Sequence, residues 1–177
     1  NSNASKARKL SSIKGFYKYL VAKRRYFDDN PAINIESPKQ KKALPKYLTL
    51  EESVNLLNTV KGDVESKTIL RDFAIITLFL NCGMRVSELA GISLSDISSD
   101  ASELIVTGKG NKQRLVYLNE TCQRHLLRYL EERRGMICKD EKALFVSRNH
   151  RRLSVKTVQW LVYKYLDLAG LGGRGLS

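Results

Sequence analysis

The apolar run Phe73-Ala74-Ile75-Ile76-Thr77-Leu78-Phe79-Leu80 is closed by Cys82-Gly83 and followed at once by Met84-Arg85-Val86-Ser87-Glu88-Leu89. A run with so little polar surface reads as a buried helix, predicted over 66–81, and a glycine is the residue best able to end it in a left-handed turn. The chain therefore has to bring Arg85 to the margin of a core. A guanidinium there is costly unless a carboxylate or an anion pairs with it. Glu88 lies three residues on and, if Val86 to Gly91 is helical, on the same face. Two outcomes stay open on spacing alone: an Arg85–Glu88 ion pair with no ligand, or a fork held by Glu88 and free to bind two oxygens of a phosphate.

A second segment, Gly108-Lys109-Gly110-Asn111-Lys112-Gln113-Arg114, lies between the strand-like stretches Leu104-Ile105-Val106 and Arg114-Leu115-Val116-Tyr117-Leu118. It reads as a hairpin whose glycines supply positive φ. Lys109, 24 residues beyond Arg85, sits at its tip, either as a solvated turn lysine or as a general acid beside a phosphate. The segment lacks the G-x-x-x-x-G-K-[ST] order of a nucleotide-binding loop and does not precede a helix.

Charge names a class of partner. The 177 residues carry 31 Lys and Arg against 18 Asp and Glu, a net charge of +13. Residues 1–48 hold 12 basic and 3 acidic side chains, and residues 148–177 hold 6 and 1. An excess of this size points to nucleic acid. No apolar run approaches the ~20 residues of a membrane span, and no secretory leader is visible. Cys82, Cys122 and Cys138 are an odd number without a C-x-x-C pair, which argues for a reducing, cytoplasmic setting and against a disulfide frame or zinc site.

The remaining elements follow from periodicity and caps. Residues 5–26 read as an amphipathic helix with Leu10, Ile13, Phe16, Tyr17 and Leu20 on one side, stopped by Asp28-Asp29-Asn30-Pro31. A basic extended linker follows. Thr49-Leu50-Glu51-Glu52 has the form of a capping box and starts a helix to about Val60. Glu120 to Arg134 is helical, Ala143-Leu144-Phe145-Val146 is a short apolar piece, and Ser154 caps a last helix to about Leu168. In that helix Val155, Val158, Leu161, Val162 and Tyr165 are expected inward, with packing contacts at Trp160-Leu161. A glycine-rich break spans Gly170 to Gly175. The fold class is mainly α with a small antiparallel β-sheet (α+β).

Taken together, G-M-R-V-S-E-L, the G-K-G-N-K-Q-R hairpin and their separation resemble the tyrosine recombinases (phage integrase family), and Xer-type enzymes in particular. Lys9-Leu10-Ser11-Ser12-Ile13-Lys14-Gly15-Phe16-Tyr17-Lys18-Tyr19-Leu20 resembles the last helix of that family's core-binding domain. Asn30-Pro31-Ala32 and Ser37-Pro38-Lys39 resemble its exit, and Leu44-Pro45-Lys46-Tyr47-Leu48 the opening of its catalytic domain. The resemblance implies a core-binding part over 1–37, a linker over 38–46 and an incomplete catalytic domain over 47–177.

By that resemblance Arg85 matches the first catalytic arginine, Glu88 the acidic residue that supports it, and Lys109 the hairpin lysine that protonates the leaving oxygen. Lys156 and Gln159 match positions that enter the major groove, where lysine suits guanine and glutamine suits adenine. Solvated positions on an outer helix face are the alternative. Arg148, Arg151 and Arg152 are placed for phosphates, and Lys112 and Arg114 on the hairpin join the DNA-binding set. His125 and His150 match no catalytic role. The family's His-x-x-Arg and nucleophilic tyrosine are expected beyond the glycine-rich break and do not follow it before Ser177. The chain is thus expected to be an inactive fragment that binds duplex DNA. Its parent would act as a tetramer through a 3′-phosphotyrosyl intermediate, without metal or cofactor. The rival is a non-catalytic DNA-binding relative or decoy.

Overall fold

The computed structural model describes residues 2–39 and 47–173. Residues 40–46, which hold most of the expected linker, and 174–177, the end of the glycine-rich break, lie outside the described residues. The chain sorts into two compact units, Asn1–Pro45 and Lys46–Ser177.

In the first unit, Ser2 caps helix α1 (Asn3–Tyr19), its Oγ accepting the Ser5 N–H at 3.2 Å. The helix continues as a π-helical turn over Leu20–Arg24 and stops at Arg25, whose φ of 53° is left-handed and breaks the ladder. The stop thus precedes the expected Asp28-Asp29-Asn30-Pro31. No residue of α1 is buried, and Phe16 is 59% exposed. The periodicity is present, but within this unit only a short returning segment meets it. Asn30 anchors that return, donating to Lys14 O and accepting from the Ala32 N–H, both at 3.0 Å, while Tyr17 and Phe27 meet edge to face.

The second unit holds the core. Thr49 starts helix α2 (Leu50–Gly62) with the expected reciprocal cap: its Oγ1 accepts the Glu52 N–H, and Glu52 Oε2 accepts the Thr49 N–H at 2.8 Å. Helix α3 (Ile69–Cys82) buries Ala74, Ile75, Ile76, Thr77 and Leu78, and Gly83 closes it at φ 55°. A side chain at that φ would be strained, so the glycine decides where α3 ends. Helix α4 (Val86–Gly91) follows directly. Strands β1 (Glu103–Thr107) and β2 (Gln113–Tyr117) form an antiparallel hairpin in which Val106 faces Arg114 and Ile105 faces Leu115. Helix α5 (Glu120–Arg134) packs along α3, and helix α6 (Val155–Leu168), capped by Ser154, packs on α2 and α4. Ala143-Leu144-Phe145-Val146, wholly buried, bridges to Ser93 at one end and Arg152 at the other. Among the described residues no helix is long and apolar enough to cross a membrane.

Two inward expectations on α6 are corrected. Val158, Leu161, Tyr165 and Leu166 fill the core, but Trp160 is 64% exposed and Val155 also faces out. The buried stripe runs through positions 158, 161, 165 and 166, which leaves Trp160 on the face shared with Lys156, Gln159 and Tyr163.

Candidate nucleic-acid interface

Glu88 is the hub of the candidate site. The α4 turn carries it under the hairpin, where it is 2% exposed. Its Oε2 accepts the Arg85 backbone N–H at 2.9 Å, its Oε1 the Arg85 Nη1–H at 2.8 Å, and its Oε2 also the Arg114 Nη2–H at 2.9 Å. Burial works against its charge, but the Arg85 N–H and the Arg114 and Arg85 guanidiniums outweigh it and hold the carboxyl below its ordinary value. One buried carboxylate therefore positions two guanidiniums that open to solvent, with side chains 75% exposed at Arg85 and 45% at Arg114.

The hairpin tip fits around this hub. A Cβ added to Gly108 would lie 3.3 Å from Glu88 Oε1, so the glycine keeps the strand end close to the carboxylate. Only Gly110 of the two glycines takes positive φ, at 75°, and Asn111 takes the other left-handed position at 59°. The Gly108 N–H to Lys112 O bond closes the turn at 2.8 Å. Lys109 and Lys112 stand exposed on it, with no ion pair among the described residues.

The basic approach to α6 divides. Arg148 and Arg151 are exposed, as are Lys156 and Gln159 on the outer face of α6. Arg152 is committed inward: its Nε donates to Asp140 Oδ2 at 3.0 Å, its Nη1 to Gly91 O and Ile92 O at 2.8 Å, and its Nη2 to Ser93 Oγ at 3.0 Å. It ties the start of α6 to the end of α4, the helix that carries Glu88.

Sequence reasoning missed the polar network behind α6. Arg71 and Asp72, both buried in α3, pair with each other, and Arg71 also donates to Val146 O at 2.8 Å. Tyr165 Oη shares its hydroxyl between Asp63 Oδ2 and Asp72 Oδ2 at 3.1 Å each, and Lys164 Nζ donates to Asp63 at 2.6 Å. Two adjacent charges inside an apolar helix were the available signal, since such charges stay buried only when partnered. Burial and the two nearby carboxylates push the Tyr165 phenol well up, and burial pushes the Tyr129 phenol up to about 12. Both hydroxyls are structural, Tyr129 donating to Leu144 O at 3.0 Å.

His125-Leu126-Leu127-Arg128 has His-x-x-Arg spacing but lies on α5, where the His125 ring packs 4.4 Å from the Phe73 ring. Burial, then Arg124, Arg128 and Lys61, hold its pKa below the ordinary value. A cleft of about 520 Å³, lined in part by Tyr129, Glu132, Arg148 and His150, includes neither Arg85 nor Lys109.

A sequence profile described as the phage integrase family matches residues 46–174. The tyrosine recombinase XerC of Caldanaerobacter subterraneus subsp. tengcongensis is 50% identical over 177 residues, all of this chain and 48% of that protein. The tyrosine recombinase XerC of Psychromonas ingrahamii is 40% identical over 162 residues, 90% of this chain and 52% of that protein. The chain spans about half the length of the curated relatives it matches. Among solved structures, the XerA recombinase aligns with a TM-score of 0.64 at 28% identity, over 92% of this chain and 62% of that one. The XerH site-specific recombinase bound to its palindromic difH substrate aligns with a TM-score of 0.80 over 98% of this chain and 52% of that one; at 23% identity this likeness concerns the fold.

Proposed function

Because the chain belongs to the phage integrase family, we propose that it carries the phosphate-holding part of a site-specific DNA recombinase, with Arg85 as the phosphate ligand, Glu88 as its support and Lys109 as the acid. The observation that carries this reading is the buried Glu88 carboxylate holding the exposed Arg85 fork beneath the hairpin that presents Lys109. One edge of the guanidinium is taken by Glu88, and the other donors are left for the oxygens of a scissile phosphate. Such donors, fixed before reaction, stabilise the charge of a five-coordinate phosphorus. Lys109, on a turn with a glycine at positive φ, can reach the departing 5′ oxygen and give it a proton. In the whole recombinase a tyrosine from outside this set would attack the phosphorus and form a 3′-phosphotyrosyl link, within a tetramer acting on DNA in the cytoplasm.

In this reading a core-binding part over 1–37 would add a DNA-binding surface, joined by a linker over 38–46 to the catalytic part over 47–177. Lys156 and Gln159 would read bases from the outer face of α6, with Arg148, Arg151, Lys112 and Arg114 on phosphates. Arg152 fits a strut between α4 and α6 better than a phosphate ligand, because four of its five N–H donors are already engaged.

The test is a scan of methylphosphonates, each removing one phosphate charge from a duplex bearing a preferred site selected from a random pool. At one phosphate the substitution should weaken wild-type binding about tenfold and leave Arg85→Ala unaffected, since the variant has already lost that charge-assisted contact. Equal losses for both proteins at every phosphate would remove Arg85 from the site. The same duplex carrying a suicide nick should give no covalent band with this chain.

A further inference from the structure

We propose that Trp160 is a third base-reading residue of α6, packing on the C5-methyl group of a thymine, an inference that rests on the reading of α6 as the helix in the major groove. Trp160 is the one tryptophan of the chain, and it stands exposed. The register of α6 keeps it there. Ser154 fixes the start of the helix by accepting the Thr157 N–H at 3.1 Å. Val158, Leu161 and Leu166 fill the core, and the Tyr165 hydroxyl is held between Asp63 and Asp72. The helix cannot turn to hide the indole without breaking these contacts.

The company of the ring names its occupant. At 3.6 residues per turn, Lys156, Gln159, Trp160 and Tyr163 lie within an arc of about 100°, and all four are exposed. The arc offers a cation, an amide and two aromatic groups, and its first carboxylate, Asp167, comes one turn beyond Tyr163. On the far side of the indole from Gln159 opens a cleft of about 240 Å³, lined in part by Ser147, Arg148, Asn149 and Thr157. Asp72 also lines it but is already neutralised by Arg71. Trp160 thus stands between a basic, hydroxyl-bearing loop suited to a phosphate and the pair that reads base edges. A duplex has its backbone and its base edges in that order.

In the major groove every base pair shows polar groups, but thymine adds a methyl. Lys156 and Gln159 suit the polar edges of guanine and adenine, whereas the apolar face of an indole suits the methyl. The helix also sets the distance. Trp160 lies four residues, about 6 Å, beyond Lys156, and bases repeat about every 3.4 Å along a strand. The thymine should therefore fall within about two base pairs of the one whose preference depends on Lys156. Removing its methyl should lower affinity about fourfold, the equivalent of one buried methyl group.

The experiment uses the whole chain and a preferred duplex selected from a random pool, with each thymine replaced in turn by deoxyuridine, which lacks only the methyl. At one position near the Lys156-dependent pair, wild type should lose about fourfold and Trp160→Ala nothing. Trp160→Phe keeps an apolar ring and should keep most of the loss. The single tryptophan also reports the contact directly: saturating duplex should quench its emission and shift it to the blue, less so with deoxyuridine at the sensitive position. A loss equal in wild type and Trp160→Ala, a sensitive thymine farther away, or no sensitive thymine would overturn the proposal. If Lys156→Ala still relaxed one base pair, the reading of α6 would survive that failure. Emission unchanged by duplex, together with unaltered base preference in Lys156→Ala, would instead take the whole face out of the groove. The wild-type scan read by emission decides the matter even if a variant fails to fold.

Discussion

Glu88→Gln tests the arrangement on which the site depends. The side chain keeps its shape but loses its charge, and its amide presents N–H groups where guanidinium N–H groups already point. Glu88 accepts three bonds, two of them from guanidiniums and one from the Arg85 backbone. The glutamine oxygen can keep the backbone bond. A bond to a charged group contributes about 1.5–3 kcal/mol when shielded, but the Arg85 and Arg114 side chains are 75% and 45% exposed. Solvent reduces each to about 0.5–1 kcal/mol. With the mismatch of donors added, the expected loss is about 2 kcal/mol.

Urea unfolding followed by circular dichroism measures that loss, and pH provides an internal check. The folded carboxyl is held below its ordinary value of 4.5, so its stabilisation is complete above that value and disappears as pH falls through the lower folded value. The gap between wild type and Glu88→Gln should therefore be full at neutral pH and narrow in acid. A gap below about 0.5 kcal/mol at neutral pH, or one that does not narrow in acid, would show that Glu88 is a bystander.

Lys156→Ala should lower affinity for the preferred duplex by about 1–3 kcal/mol and relax the preference at one base pair. Arg152→Ala should instead lower the thermal midpoint while leaving base preference unchanged, as read by melting and by selection from a random duplex pool. Tyr165→Phe removes the donor shared by Asp63 and Asp72 and should cost about 1–2 kcal/mol in urea unfolding. His125 is held below its ordinary value of 6.5, so the unfolded chain takes up a proton first as pH falls. Stability should drop through that region, and His125→Gln should flatten the drop in a series of melts from neutral to acid pH.

Much of this fold was legible because its signals are short-range. A glycine that ends an apolar helix, a Thr-x-x-Glu box, an Asn or Ser cap and a glycine-bearing hairpin each act within a few residues. Helices α2 to α6 accordingly begin and end close to the expected positions. The Arg85–Glu88 bond was legible for the same reason, since a helical spacing of three brings the two side chains together.

Tertiary structure decided what depends on partners far along the chain. Arg114 reaches Glu88 across 26 residues, and Arg152 reaches Gly91 across 61, so a spacing rule could assign neither. The basic cluster before α6 was one group in the sequence, and only the carbonyls at the end of α4 separated Arg152 from Arg148 and Arg151. Trp160 looked like core by its chemistry, but the side chain is turned outward by the register of α6, which Tyr165 on Asp63 and Asp72 helps to hold. The sequence by itself determined where helices start and stop and that an arginine would leave the core beside a carboxylate. Which buried charges find each other, and which basic side chains remain free for a polyanion, follow from desolvation and geometry, and those exist only once the helices are packed.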